Sequence, residues 1–346
     1  MIRRPSGARG KIAKGSDVAT KLPLTLTCGD YEITRPLAEG LVEPDGIALT
    51  VLTNSASRDR HWRLARNAEC DLGEFNACAY FMARDRGHPY IALPIYPHRR
   101  FRHGFVFVNT TKGITKASDL RGRRIGCYGG FQPAACVWLR GLLEEFFGLP
   151  HRDAVWVVPQ LDEIPFTPPP GLKIETVPPD KSLDEMLAQG EIDAMLAPSF
   201  PAPFIKGDKR VARLFPDFKA LEIDYYRQTG IFPIMHLVMI RQSIIEAHPW
   251  VPANLAYAFN QAKQMACQRL RNPRVLPQAW NMNALEEQDA ILGRDPWAYG
   301  LGAANRKNLE TAMRYTHAQG LTNRLASVDE VFVPIDDGVF SGVGGY

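Results

Sequence analysis

Residues 97–109 read Pro97-His98-Arg99-Arg100-Phe101-Arg102-His103-Gly104-Phe105-Val106-Phe107-Val108-Asn109. Arg99, Arg100 and Arg102 crowd against His98 and His103, and this cationic run passes without a break into an apolar strand. Cations at the mouth of a buried strand are costly unless an anion meets them. Side chains alternate between faces in an extended backbone. A strand through residues 99–107 would therefore put Arg99, Phe101, His103, Phe105 and Phe107 on one side and Arg100, Arg102 and Val106 on the other. A solvated strand entrance is the bland alternative, but the aromatic rings between the charges predict a lined anion pocket.

Working outward, strands and helices alternate on both sides of this stretch. Upstream, strands are predicted over Leu22–Cys28, Ile47–Leu52, Cys70–Gly73 and Tyr90–Ile95, with helices over Arg35–Leu41, Arg58–Asn67 and Glu74–Arg84. That order argues for a parallel-rich α/β layer. Downstream, a second such unit runs through Gly113–Cys127, read as turn, one helical turn, then strand, and through strands at Ala154–Val158 and Ile192–Ala197, with a long amphipathic helix over Gln132–Phe147. Residues 165–180 are proline-rich and predicted as loop, and 182–190 as a helix capped by Ser182 with Glu185 at its third position. Gly230–Ile240 is a second unusually apolar strand, and from Ser243 the pattern is helical.

The sequence Gly104–Asn109 followed by Gly113-Ile-Thr-Lys-Ala-Ser-Asp-Leu-Arg-Gly-Arg-Arg-Ile-Gly126 resembles the hinge and first unit of the type II periplasmic-binding-protein fold. The fold class expected is thus α/β, with two lobes of that architecture joined by two hinge strands and a helical C-terminal return. The boundaries expected are a disordered leader over 1–21, a discontinuous first lobe over 22–103 and 236–335, a second lobe over 104–235, and a flexible tail over 336–346. Ligands of such folds sit between the lobes.

The chain has 346 residues, 45% hydrophobic and 23% charged, which is ordinary for a globular protein. A net charge of +4 does not point to nucleic acid. Cys28, Cys70, Cys78, Cys127, Cys136 and Cys267 form no C-x-x-C pair, so reduced thiols are expected and cysteine-bound zinc is not. No run reaches the roughly 18 apolar residues of a membrane span. The basic, glycine-rich N-terminal residues lack the apolar core of a secretory signal, and a cytoplasmic location is expected. Trp280 and Trp297 lie in the C-terminal region, where they would pack on the hinge lobe or form the face of a homo-oligomer.

Four segments should meet in the cleft. The loop Gly29–Arg35 follows the first strand and offers Asp30, Tyr31 and Arg35, although Asp30 would also serve as a helix cap. Gly73-Glu74-Phe75-Asn76 reads as a strand-to-helix turn that aims Glu74 at the cleft, where an acid would equally complement a helix N-terminus. Tyr128-Gly129-Gly130-Phe131-Gln132 is no nucleotide-binding loop but suits a carboxylate cradle. The hinge strands carry His103 and His236, whose rings are expected to meet.

Gly29–Leu37, Phe101–Gly104, Arg227-Gln-Thr-Gly-Ile-Phe-Pro-Ile-Met-His236 and Asp295-Pro-Trp-Ala-Tyr-Gly300 together resemble the 4,5-dihydroxyphthalate decarboxylase family, over roughly residues 22–335. The chain departs from the family pattern at Gly73–Asn76 and Tyr128–Gln132. The resemblance implies conversion of 4,5-dihydroxyphthalate to protocatechuate and carbon dioxide. A dianion of this kind calls for arginine forks, and Arg35, Arg99, Arg100 and Arg102 are the candidates, with Tyr31, Tyr128, Gly129 and Phe232 as further substrate contacts. His103 and His236 are expected to exchange protons with the ring, oriented by Asp30 or Glu74. No cofactor and no metal are expected. The alternatives are a non-catalytic aromatic-acid binding protein, and a decarboxylase using a divalent ion on His103 and His236 with Glu74 or Asp30.

Overall fold

The structure, a computed structural model, describes residues 20–159 and 163–341. The expected leader and tail fall outside it except for residues 20–21 and 336–341, where Asp337–Val339 forms a 3-10 turn.

Two sheets form the two lobes. The first has the order β2-β1-β3-β11-β4, from β1 (Leu22–Thr27), β2 (Ile47–Leu52), β3 (Leu72–Asn76), β4 (Tyr90–Arg99) and β11 (Ile234–Arg241). The second has the order β10-β5-β9-β6-β7-β8, from β5 (Val106–Asn109), β6 (Arg124–Cys127), β7 (Val155–Val158), β8 (Lys173–Thr176), β9 (Ala194–Leu196) and β10 (Val211–Arg213). β1 lies parallel to β2 and β3, whereas the returning β11 lies antiparallel between β3 and β4. The helices are α1 (Arg35–Ala38), α2 (Ser57–Asn67), α3 (Ala77–Asp85), α4 (Ala134–Phe147), α5 (Leu183–Gln189), α6 (Ala202–Ile205), α7 (Phe218–Thr229), α8 (Gln242–Ala247), α9 (Val251–Leu270), α10 (Asn281–Leu292), α11 (Ala303–Ala318) and α12 (Val328–Val331). This is the two-lobed α/β architecture expected. Among the described residues no helix is long and apolar enough to cross a membrane.

The strands that carry the chain between lobes lie side by side, with Ile234 opposite Arg99 and His236 opposite His98. The cationic stretch itself is not one continuous strand, contrary to the sequence reading. β4 ends at Arg99, a 3-10 turn follows over His103–Phe105, and only then does β5 begin. Three local contacts account for the break. The Arg100 N–H donates to the Pro233 carbonyl at 3.0 Å and the Phe105 N–H to the Arg102 carbonyl at 2.9 Å. Gly104 lies so close to the Phe218 ring that a Cβ would meet it at 2.8 Å. The face alternation expected for residues 99–107 is therefore lost, and neighbouring arginines point into different surroundings.

A second difference concerns Glu74. The helix expected from Glu74 begins at Ala77, because β11 holds Glu74 and Asn76 in the sheet opposite Val238 and His236. Asn76 caps α3, its Oδ1 accepting the Ala79 N–H at 3.1 Å, and the same atom accepts the Ala134 N–H of α4 at 3.2 Å. α2 packs tightly on β3, since a Cβ on Gly73 would lie 2.3 Å from a Leu64 methyl. In the proline-rich segment Lys173–Thr176 forms an edge strand beside β7, a position where flanking prolines are tolerated. Ser182 caps α5 as expected. None of the six cysteines forms a disulfide. Trp297 packs edge-on against Phe232 with ring centroids 5.1 Å apart, while Trp280 is exposed.

Candidate active site

The centre of the first lobe holds a carboxylate with no exposure at all. Glu74 sits mid-strand, and its Oε2 accepts the Gly29 N–H at 2.7 Å and the Arg60 guanidinium at 2.6 Å. Its Oε1 accepts the Tyr31 hydroxyl at 2.5 Å and meets Nδ1 of His236. Burial alone would raise the Glu74 pKa, but His236 and Arg60 outweigh it and hold the group below its usual range. Arg60 is a permanent cation, so its guanidinium neutralises the carboxylate. Burial then keeps His236 below its ordinary pKa despite the nearby acid. The consistent state is ionised Glu74 beside a neutral His236 that donates from Nδ1 and carries its lone pair on Nε2. Tyr31 stays a phenol, its pKa raised by burial and by Glu74.

Three more features converge here. α2 turns Ser57, Arg60, His61 and Leu64 to one face by i, i+3, i+4 and i+7 spacing, and Arg60, His61 and Leu64 are buried. The His61 ring lies edge-on to His236 at 5.0 Å. His98 on β4 lies edge-on to His236 at 4.9 Å, stacks on Tyr31 at 5.9 Å, and is driven to its neutral form by burial and by the nearby guanidinium of Arg102.

These groups open onto an interlobe cleft of about 570 Å³. Tyr31, His61, His98 and His236 line it from the first lobe, Tyr128, Gly129, Glu163 and Lys181 from the second, and Arg102 from the crossing between them. Pro133, Ala135, Pro159, Val177, Leu183 and Pro198 give it an apolar wall. Arg102 is 2% exposed, donates to the Pro198 carbonyl at 3.1 Å, and has no carboxylate ion partner among the described residues. Burial pushes its pKa down to about 9, still a cation at neutral pH.

Of the candidates read from sequence, Tyr31, Glu74, Arg102, Tyr128, Gly129 and His236 belong to this centre or its cleft. The others lie elsewhere. His103 sits with Glu222, whose Oε1 is 3.9 Å from its Nδ1, and with Tyr225 and Phe147. The histidine facing His236 across the strand pair is His98. Arg99 is turned away, bonded to the Ala298 carbonyl at 2.8 Å and to Asn305 at 2.6 Å. Arg100 stacks on Phe105, Arg35 pairs with exposed Asp30 at 3.1 Å, and Phe232 packs on Phe101 and Trp297. The Asp295–Gly300 motif is an anchor: Asp295 pairs with buried Lys263 at 2.5 Å, and the Ala298 carbonyl holds Arg99.

His61, Arg60 and His98 escaped the sequence reading. The spacing Ser57, Arg60, His61, Leu64 was the available signal for the first two.

The expectation that no metal is involved is overturned by this geometry. His61, Glu74 and His236 each offer a donor atom, and these atoms all lie within 4.8 Å of one another. Two imidazoles and a carboxylate are a recurrent divalent-metal set. The set expected from sequence is corrected in its members too, since His61 stands where His103 was placed and exposed Asp30 is not part of it. His61 Nε2 is buried without a partner, which fits a ligand role.

No protein-family model matches the chain. A 4,5-dihydroxyphthalate decarboxylase of Comamonas testosteroni is 32% identical over 326 residues, 91% of this chain and 97% of that protein. One of Pseudomonas putida is 34% identical over 62% of this chain and 86% of its own length. Among solved structures, the periplasmic aliphatic sulphonate binding protein SsuA of Escherichia coli aligns with a TM-score of 0.55 at 13% identity, over 92% of this chain and 99% of that one. The sulfonate-binding protein of Methylobacillus flagellatus aligns with a TM-score of 0.59 at 14% identity, over 92% and 93%. The fold is thus that of type II periplasmic binding proteins. Both of these fold relatives are periplasmic by name, and the cytoplasmic location expected from the sequence is corrected on that finding. With a relative above 30% identity spanning nearly both chains, this protein belongs to the 4,5-dihydroxyphthalate decarboxylase family.

Proposed function

We propose that this chain is a carboxy-lyase that converts 4,5-dihydroxyphthalate to protocatechuate and carbon dioxide in the interlobe cleft. The observation that carries the reading is Arg102, a buried guanidinium on the cleft with no carboxylate partner among the described residues. A buried cation in that state calls for an anionic ligand, and a carboxylate matches its fork.

The substrate has two adjacent carboxylates, each para to a hydroxyl. Arg102 takes the one that is retained. The other rests against the apolar wall, out of reach of the Arg102 fork, so contacts favour the transition state over the bound substrate. His236 is the base. Its Nδ1–H is held by Glu74, and its Nε2 takes the proton of the hydroxyl para to the departing group. Electron density then reaches the carbon that bears the carboxylate, and a solvent proton reaches that carbon through a cleft water oriented by the neutral His98 imidazole. Carbon dioxide leaves, the carbon–carbon bond pair restores the aromatic ring, and the proton on His236 returns to the phenolate. The net change is one proton gained and one carbon dioxide lost. The product keeps a single carboxylate, which Arg102 engages, so nothing is left against the apolar wall and the reaction stops there.

A divalent ion on His61, Glu74 and His236 would acidify the catechol hydroxyls, and the proximity of these donors favours that variant of the reading. Arg102 and His98 keep their duties in it. A binding protein would use Arg102 and the apolar wall equally well, but gains nothing from the buried carboxylate–imidazole unit.

The test is turnover of 4,5-dihydroxyphthalate by purified protein, followed by carbon dioxide release and product absorbance, before and after chelation. Turnover abolished by chelator and restored by a divalent ion supports the metal variant; turnover unchanged by complete chelation refutes it. Tight binding without carbon dioxide release would refute the enzyme reading altogether.

A further inference from the structure

We infer that Glu163 is a positioning residue for His61, reaching across the cleft from the second lobe to fix the imidazole of the first. The inference rests on the cleft being the reactive site. Glu163 follows β7, and its neighbour Ile164 is tied to Gln132, whose side chain accepts the Ile164 N–H at 3.0 Å and donates to the Ile164 carbonyl. Gln132 is 1% exposed at the head of α4, so this part of the loop is bound firmly to the second lobe. His61 belongs to α2 of the first lobe, with its ring edge-on to Phe75 and to His236.

The two meet with His61 Nδ1 3.4 Å from Glu163 Oε1. The carboxylate is 14% exposed and the imidazole 5% exposed. Both of their outer atoms, Glu163 Oε2 and His61 Nε2, are buried and unpartnered. No lysine or arginine pairs with Glu163 among the described residues. A nearly buried carboxylate needs a hydrogen-bond donor, and the ionisable side chain that reaches it among the described residues is His61.

The separation lies just beyond the range of about 2.7–3.2 Å for a formed N–H···O bond. A slight approach of the lobes would close it. The bond would fix the proton on Nδ1 and leave the lone pair on Nε2 for the His61–Glu74–His236 set. Imidazoles that bind metals or protons are oriented in this way by an outer carboxylate. His236 has such a carboxylate within its own lobe in Glu74, whereas His61 acquires one only from the opposite lobe. The centre is therefore complete only when the second lobe is in contact with the first.

The test is histidine-ring ¹⁵N NMR on full-length protein, with the His61 signal assigned through His61→Gln, alongside kcat and KM for 4,5-dihydroxyphthalate. The expected result is the Nδ1–H form of His61 in the wild type, and a shift toward the Nε2–H form in Glu163→Ala. Loss of an outer-shell carboxylate typically lowers activity about 10–100-fold, so kcat should fall by that factor with KM within about threefold. Glu163→Gln, which keeps a carbonyl acceptor, should lie between the two and stands in if the alanine variant does not fold. An Nε2–H form in the wild type, an unchanged kcat, or a rise in KM alone would overturn the inference. If the wild type fails to turn over the substrate, the functional reading falls while the NMR result still decides the role of Glu163.

Discussion

Glu74→Gln removes one charge from the least accessible carboxylate in the first lobe, and its cost follows from the four donors around it. Gly29 N–H and Arg60 reach Oε2 at 2.7 and 2.6 Å, while Tyr31 and His236 reach Oε1. A glutamine in the same rotamer offers an amide nitrogen to donors on one side and leaves the Arg60 guanidinium, 1% exposed, without a counter-charge. Breaking a buried pair in this way costs about 3–5 kcal/mol, against a total stability of about 5–15 kcal/mol for an ordinary domain. Arg60→Met should cost less, about 2 kcal/mol by loss of charge-assisted bonds, because His236 can still take a proton and balance Glu74. The double variant should be more stable than the sum of the two losses requires. Urea unfolding of the wild type, both single variants and the double variant forms the cycle. A Glu74→Gln loss below about 1 kcal/mol, or strict additivity, would refute the account of this buried pair.

Arg102→Gln should raise the Kd for the substrate dianion about 10–100-fold, the loss of a charge-assisted contact worth about 1.5–3 kcal/mol, with unchanged or higher thermal stability of the free protein; calorimetric binding and a melting curve check both. Burial pushes Glu222 up to about 7 from an ordinary 4.5. Its contribution to stability is therefore complete below pH 4.5 and lost as pH rises through 7, and about 3 kcal/mol is at stake. Glu222→Gln keeps the acceptor for Gly104, so it should match the wild type in acid and exceed it above pH 7 in unfolding measured across that range. Gly73→Ala should destabilise by about 1–3 kcal/mol through overpacking on Leu64, measured by the same unfolding assay; a neutral result would mean that α2 can shift without penalty.

The architecture was legible because apolar strands and amphipathic helices alternate along the chain, and that pattern depends on local sequence alone. The site was legible where a polar residue stood in or just after an apolar strand of the first lobe, as Glu74 and Tyr31 do. It was obscured in α2, where Arg58-Asp59-Arg60-His61 reads as a solvated charged run and the one-face spacing of Ser57, Arg60, His61 and Leu64 was the sole local hint that Arg60 and His61 face inward. The pairing of His236 with His98 rather than His103 depends on register between strands distant in sequence, and on a 3-10 turn set by Pro233 and Phe218. The register is not encoded near the histidines themselves. The arginines show the same limit: Arg99 and Arg102 are three residues apart, yet one braces the Ala298 carbonyl and the other faces the cleft.

Asn76 Oδ1 receives N–H groups from the first turns of two helices that belong to different lobes. Each such cap is worth about 1 kcal/mol. Any movement that parts α4 from α3 strips one of them, which alone lowers the population of that form about fivefold. The same atom also constrains inheritance. A substitution at position 76 must be compatible with the entry of both helices at once, so the two halves of the molecule cannot drift independently there.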